Sequence, residues 1–492
     1  TQEMWNGACI SFALCPLLTM GAIEALQKHG PEALKSTYLR RLVSGEWTAT
    51  LNLTEPQAGS DLGALRTRAE PQPDGTYRLF GQKIFITYGD HDLADNIVHL
   101  VLARLPDAPA GSRGISLFLV PKFLVNADGS LGARNDLFCS GLEHKLGIHG
   151  SPTCTMIYGD RHFGGPGAVA WLVGEENRGL NCMFTMMNNA RLMVGIQGVA
   201  QAELALQQAA AYAQERRQGR AAGWSGEGMS PIALHPDVRR MLLEMRALTA
   251  AARAICYSCA FAADMAAPSA RAGPRDDRAP AWRERVDLLT PVAKAFATDI
   301  AFEVASLGVQ VHGGAGFIEE TGAAQTLRDS RITSIYEGTN GIQAIDLVTR
   351  KLPLSGGAAV RKYISELRDI AELSRIENRP DFGRMGARLS ASLDDLEFAT
   401  EHLLNLLAAG KHTEALAGAT PYLRLFGLAA GGIYLAKGAL ASRADEGADP
   451  TRRIGTARFF AEHLAPATSA LRAAVTDGAE AVLAVEPALL VG

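Results

Sequence analysis

Ile335-Tyr336-Glu337-Gly338-Thr339-Asn340-Gly341-Ile342-Gln343 follows, within one stretch of the chain, Gln310-Val311-His312-Gly313-Gly314-Ala315-Gly316-Phe317 and Leu327-Arg328-Asp329. The Gly313-Gly314 pair comes after a helical pattern and not after a strand, so it is not a dinucleotide fingerprint of the βαβ kind. Glu337-Gly338-Thr339 by itself reads as a surface turn. Its meaning depends on what surrounds it.

Upstream, from Gly179, the apolar period is helical, with Leu192, Ile196, Val199 and Leu206 along one face. Helices are expected to dominate as far as about Leu352, interrupted by the Pro-, Gly- and Arg-rich stretch Pro268 to Pro280, which reads as a mobile loop. Before Gly179 lie short β-rich runs between turn residues: Tyr77 to Thr87, Ile97 to Leu105, Gly114 to Val120, Thr153 to Tyr158 and Ala168 to Val173. Residues 1 to 47 read as helices, one stopping at Gly30 and another starting at Pro31. From Ser355 onward the chain is again helical and alanine-rich, without a chemical motif.

This order implies a mostly α protein with a small central β-domain. It excludes a doubly wound sheet, because strands do not alternate with crossover helices. The expected division is 1–47, the end of an N-terminal helical domain with residues missing upstream; 48–177, the β-domain; 178–353, a helical bundle; and 354–492, a C-terminal helical domain.

Composition agrees with a folded, multidomain chain: 492 residues, 47% hydrophobic and 20% charged. A net charge of -4 points to no polyanionic partner. The apolar stretch Ala8 to Leu26 is broken by Pro16, Gly21 and Glu24, and Leu425 to Ala436 is short, so no membrane span is expected and the protein reads as soluble and cytoplasmic. Seven widely spaced cysteines do not form a secreted disulfide framework, and Cys256 and Cys259 read as packed helix residues with no metal partner.

Two further segments carry chemistry. Leu51-Asn52-Leu53-Thr54-Glu55-Pro56-Gln57-Ala58-Gly59-Ser60-Asp61 offers hydroxyl and amide donors beside a glycine that lets a ligand approach. Gly81-Gln82-Lys83-Ile84-Phe85-Ile86-Thr87 is an alternating strand with an aromatic ring and a hydroxyl. Arg191 and the cluster Glu215-Arg216-Arg217-Gln218 supply guanidinium groups that fit phosphates by paired donors.

Together these segments resemble the acyl-CoA dehydrogenase family over Leu51 to Leu352. The resemblance implies FAD as cofactor, an acyl-CoA thioester as substrate, an electron-transferring flavoprotein as acceptor, a homodimer and no nucleic acid. It makes Glu337 the base that abstracts the α-proton while the β-hydride passes to flavin N5. Leu53, Thr54, Gly59, Ser60, Phe85 and Thr87 would contact FAD, with Phe85 where the family usually has Trp. Arg216, Gln218, Gln310, Gly313 and Gly314 would meet the phosphate and adenosine half of a neighbouring subunit's FAD, with Thr339 also near the cofactor. Ser60, Asn188, Arg191 and Gly338 would lie along the substrate. Gly219-Arg220 departs from the Phe-Gly that usually follows the arginine motif, and Gly341 replaces a frequent Gln.

The added C-terminal region, with Gly141 to Pro152 and Met186 to Arg191, resembles the long subgroup that includes 3-methylmercaptopropionyl-CoA and broad-range fatty acyl-CoA dehydrogenases. Two other readings share the fold. A DNA-associated flavoprotein would carry a basic C-terminal surface, whereas Ser355 to Gly492 holds 15 Lys plus Arg against 17 Asp plus Glu, a balance of 15 - 17 = -2. An oxygen-using relative of the nitroalkane oxidase kind is disfavoured by Glu337.

Overall fold

The computed structural model describes residues 1–267, 278–377, 379–442 and 450–490. The expected loop falls outside the described residues from 268 to 277, and Ala279 and Pro280 already open a helix. The described chain divides into two compact units, Thr1–Met193 and Val194–Gly492.

In the first unit, helix α1 (Gln2–His29) ends where Gly30 turns extended, its N–H capping the Leu26 carbonyl. Ten strands follow: β1 (Thr48–Asn52), β2 (Arg68–Pro71), β3 (Tyr77–Thr87), β4 (Ile97–Ala103), β5 (Ser116–Pro121), β6 (Phe123–Val125), β7 (Leu131–Arg134), β8 (Leu137–Leu142), β9 (Thr153–Tyr158) and β10 (Ala168–Val173). The main sheet runs β1-β4-β5-β10-β3-β9-β8, with β2 beside β3 and a separate β6-β7 hairpin. Every residue of β4 and β5 is buried. Their continuous apolar runs suit the middle of a sheet covered on both faces. Leu100, Leu102, Leu117 and Leu119 pack with α1 residues Leu18, Ala22 and Leu26. Val101, Phe118 and Val120 point to the opposite core with Leu79, Met156 and Tyr158.

Helix α2 (Gly179–Glu215) gives its first residues to this unit and the rest to the second. The second unit continues with α3 (Pro236–Ala266), α4 (Ala279–His312), α5 (Ala323–Arg331), α6 (Asn340–Asp346), α7 (Ala358–Ile376), α8 (Met385–Ala408), α9 (Ala419–Ala441), α10 (Pro450–Phe459) and α11 (Ala467–Asp477). Helix α9 is buried among its neighbours at glycines: a Cβ at Gly427 would run into the Phe296 ring of α4, and one at Gly431 would meet Ala251 of α3 at 2.8 Å. Cys256 and Cys259 are packed in α3, their thiols directed at the Ala293 carbonyl and the Thr290 hydroxyl.

Helices α1 and α9 are longer than the apolar runs read from sequence, and both are long and apolar enough to cross a membrane by length and composition. More than half of each apolar window is buried, 56% and 67%, as in a packed core helix.

Candidate functional site

Within the first unit, the segment after β1 is tied to β3 by a buried charge. Lys83 Nζ donates to the Leu53 carbonyl at 3.0 Å and to Glu55 Oε1 at 2.8 Å, and the Ile84 N–H donates to the Thr54 carbonyl at 3.0 Å. Glu55 also accepts the backbone N–H groups of Arg66 at 2.6 Å and Thr67 at 3.0 Å. Burial raises the Glu55 pKa, but Lys83 and these donors outweigh it and hold the carboxyl at about 2. Leu53 and Thr54 are thereby fixed, half exposed, beside exposed Gly59 and Ser60.

Farther along β3, pairing with β9 shifts register between Lys83 and Ile86. At this bulge Phe85 takes φ +59° and leaves its side chain 59% exposed. A left-handed aromatic is rare, and here it turns the ring outward between half-buried Ile84 and buried Ile86. Pairing resumes at Ile86 opposite Cys154 and continues at Thr87 opposite Thr153, and the Thr87 carbonyl accepts the Thr50 hydroxyl at 2.6 Å. On α2, Asn188 is half-buried and Arg191 only 5% exposed.

In the second unit Glu337 has φ +54° and Gly338 φ +86°. Two successive left-handed residues reverse the chain just before α6, where the Thr339 hydroxyl caps the helix by accepting the Ile342 N–H at 3.2 Å. Gln343, fully buried, places its amide nitrogen 3.4 Å from the carbonyls of both Glu337 and Gly338. Tyr336 donates its hydroxyl to Gln197 Oε1, and burial, followed by the nearby Glu337 carboxylate, pushes its pKa well above the usual phenol range.

Also in the second unit, α4 ends at Gly313, with φ +62° and ψ -139°, a conformation essentially reserved for glycine. Beyond Gly313 and Gly314 the space is open within 4 Å, so a ligand or another chain has room to approach. His312 stacks on Tyr212 with ring centroids 4.5 Å apart. Tyr212 lies one turn before Arg216 at the end of α2, so this stacking brings the end of α4, where the glycine turn begins, against the helix that leads into Arg216–Gln218. Arg216, Gln218 and Gln310 are exposed there.

Sequence reasoning missed the groups beneath these turns. Lys83 and Glu55 lie 28 residues apart, so no local pattern pairs them. Gln197, Lys294, Thr298 and Asp299 were not singled out at all, because in sequence they are polar interruptions of helical patterns. In the β-domain, Tyr158 donates to Asn52 at 2.8 Å and lies 3.2 Å from His99, whose pKa burial lowers to about 3.

Three family models cover the chain: "Acyl-CoA dehydrogenase, middle domain" over residues 50–160, "Acyl-CoA dehydrogenase, C-terminal domain" over 177–352 and "Acetyl-CoA dehydrogenase C-terminal like" over 362–486. A 3-methylmercaptopropionyl-CoA dehydrogenase of Ruegeria pomeroyi is 47% identical over 486 residues, 98% of this chain and 80% of that protein. The chain belongs to the acyl-CoA dehydrogenase family. It is thus an oxidoreductase of a flavoprotein family that uses FAD. A broad-specificity linear acyl-CoA dehydrogenase of Mycobacterium tuberculosis is 35% identical over 92% of this chain and 76% of its own length. The crystal structure of an acyl-CoA dehydrogenase from Bacillus anthracis, complexed with FAD, shares the fold at a TM-score of 0.73 and 24% identity, covering 98% of this chain and 79% of that one. The acyl-CoA dehydrogenase fold of this chain therefore includes the C-terminal helices and matches the mostly α architecture with a central β-domain expected from sequence.

Proposed function

We propose that the chain removes the α-proton and β-hydride of an acyl-CoA thioester, with FAD as oxidant, to leave the trans-2-enoyl-CoA. The observation that carries this reading is the Glu337 turn. A carboxylate stands on a left-handed backbone that Gln343, Thr339 and Asn340 hold in place, and such strain in a non-glycine residue marks a functional position.

Residues of each unit fit the cofactor chemically. Leu53, Thr54, Gly59, Ser60, Phe85 and Thr87 supply backbone and hydroxyl groups, open space and an outward ring. Arg216, Gln218, Gln310, Gly313, Gly314 and Thr339 supply donors and glycines suited to phosphate and adenosine. When bound, FAD would supply the hydride acceptor at N5.

The remaining chemistry belongs to the chain. An α-proton is too weakly acidic for a carboxylate unless charge on the thioester oxygen is stabilised. The backbone N–H of Glu337 is assigned to donate to that oxygen as its carboxylate takes the proton. Ser60, Asn188, Arg191 and Gly338 would bind and orient the acyl-CoA. The relatives act on linear acyl-CoA and on 3-methylmercaptopropionyl-CoA by name, and a substrate in that range is proposed here. An electron-transferring flavoprotein is the proposed acceptor, and the active assembly a homodimer.

The test is optical. Purified protein should be yellow, with about one FAD per chain, and should bleach without oxygen on addition of an acyl-CoA from a panel of linear and methylthio thioesters. Colourless protein that FAD cannot reconstitute would contradict the reading, as would a flavin that no thioester bleaches.

A further inference from the structure

Beneath the Glu337 turn, α4 presents four polar groups to one side chain of α6. Asn340 Oδ1 accepts Lys294 Nζ at 2.8 Å, and its Nδ2 lies 2.7 Å from Asp299 Oδ1, 2.9 Å from Thr298 Oγ1 and 3.1 Å from the Ala295 carbonyl. Positions 294, 295, 298 and 299 share one helix face. Lys294 and Thr298 are fully buried, and burial raises the Asp299 pKa against the opposing pull of Asn340, Arg424 and Lys294.

We infer that Asn340, clamped between Lys294 and Asp299, is the positioning residue that fixes the Glu337 carboxylate for proton abstraction. This rests on Glu337 being the base. The φ values of +54° at Glu337 and +86° at Gly338 are not self-sustaining, because a left-handed non-glycine residue persists only where its surroundings over-determine it. The turn is held on both sides: before it Tyr336 donates to Gln197, and after it Thr339 caps α6, Gln343 reaches back to the two carbonyls and Asn340 locks the first residue of α6 to α4. An amide is the one side chain of this size that accepts from the ammonium on one side and donates to the carboxylate on the other. A buried ammonium and a partly buried carboxylate are thus kept apart by a neutral group that satisfies both, and the orientation of that group sets where the preceding turn begins.

The experiment uses the full-length, FAD-loaded protein in anaerobic stopped flow with butyryl-, octanoyl- and palmitoyl-CoA, whichever reduces the parent fastest. N340A and N340D should slow the limiting rate of flavin reduction roughly tenfold to a hundredfold, the effect of misplacing a reacting group by about an ångström, with the half-saturating acyl-CoA concentration and FAD content close to parental. N340D sets two carboxylates against each other, and adding D299N restores a donor opposite the new acceptor, so the N340D/D299N protein should recover most of the rate. A merely structural role would not separate binding from rate, nor respond to the exchange. Parental reduction in N340A, parallel loss of FAD or acyl-CoA binding, or no recovery in the double variant would overturn the inference. E337Q in the same assay distinguishes the layers: if it reduces at the parental rate the base assignment has failed, whereas if it is inactive while N340A is parental only the positioning role has failed.

Discussion

Lys83 and Glu55 form an ion pair inside the β-domain, Nζ to Oε1 at 2.8 Å, with 0% and 3% of their side chains exposed. Burial lowers the Lys83 pKa to about 8, and the partner carboxylate opposes that fall, so the ammonium stays charged at neutral pH. The pair joins the Leu53–Thr54 backbone to the strand that carries Phe85 and Thr87.

Glu55→Gln should therefore lower stability by roughly 3–5 kcal/mol, since it strands a buried charge, while folded protein keeps substantial flavin reduction. The pH dependence has a definite sign. A carboxylate held at about 2 against an ordinary 4.5 stabilises fully above the ordinary value and loses that contribution as pH falls from about 4.5 towards 2. Denaturant midpoints measured across that window should fall in the parent and flatten in Glu55→Gln. A variant that loses reduction while remaining folded would make Glu55 a rival to Glu337.

Helix α9 should respond very differently at two of its glycines. Gly427→Ala drives a methyl into the Phe296 ring and should destabilise by about 1–3 kcal/mol. Gly438 has nothing within 4 Å of a Cβ, so Gly438→Ala should be neutral or stabilise by roughly 0.5–1 kcal/mol. Thermal unfolding of both variants checks the contrast. Equal effects would mean that close approach of α9 to α4 does not secure the C-terminal helices.

How much of this was legible in the chain follows from what each residue contacts. The alternation and β-branched or aromatic content of Tyr77–Thr87, Thr153–Tyr158 and Ala168–Val173 marks three strands to the residue. Leu137–Leu142 escaped notice because Cys-Ser-Gly in its middle carries little strand preference, and β1 was hidden in a segment read for its chemistry. The Glu337 turn was readable because its members are adjacent. Lys294 and Asp299 lie 46 and 41 residues from Asn340, and no local pattern announces a contact at that distance. Phe85 was noted as an aromatic on a strand, but the bulge that turns it outward depends on register with β9.

Gly313 tests the proposed subunit arrangement. Alanine there must adopt φ +62° and ψ -139°, at a strain of about 1–3 kcal/mol, on a turn assigned to a neighbour's cofactor. Gly313→Ala should therefore release FAD more readily than the parent, as should Arg216→Ala, which removes a guanidinium without backbone strain. Mass measurement in solution should give a dimer. A parent tetramer, or full FAD retention in Arg216→Ala, would contradict this arrangement.

Glu337→Gln bears most directly on the mechanism, because it removes the proton acceptor while keeping side-chain size and the backbone N–H assigned to the thioester oxygen. The measurement is anaerobic stopped-flow bleaching of the flavin by the acyl-CoA that best reduces the parent. The variant should retain FAD and bind acyl-CoA, yet reduce its flavin roughly a hundred- to ten-thousand-fold more slowly, the contribution of a positioned general base; reduction near the parental rate would contradict the assignment of Glu337 as the base.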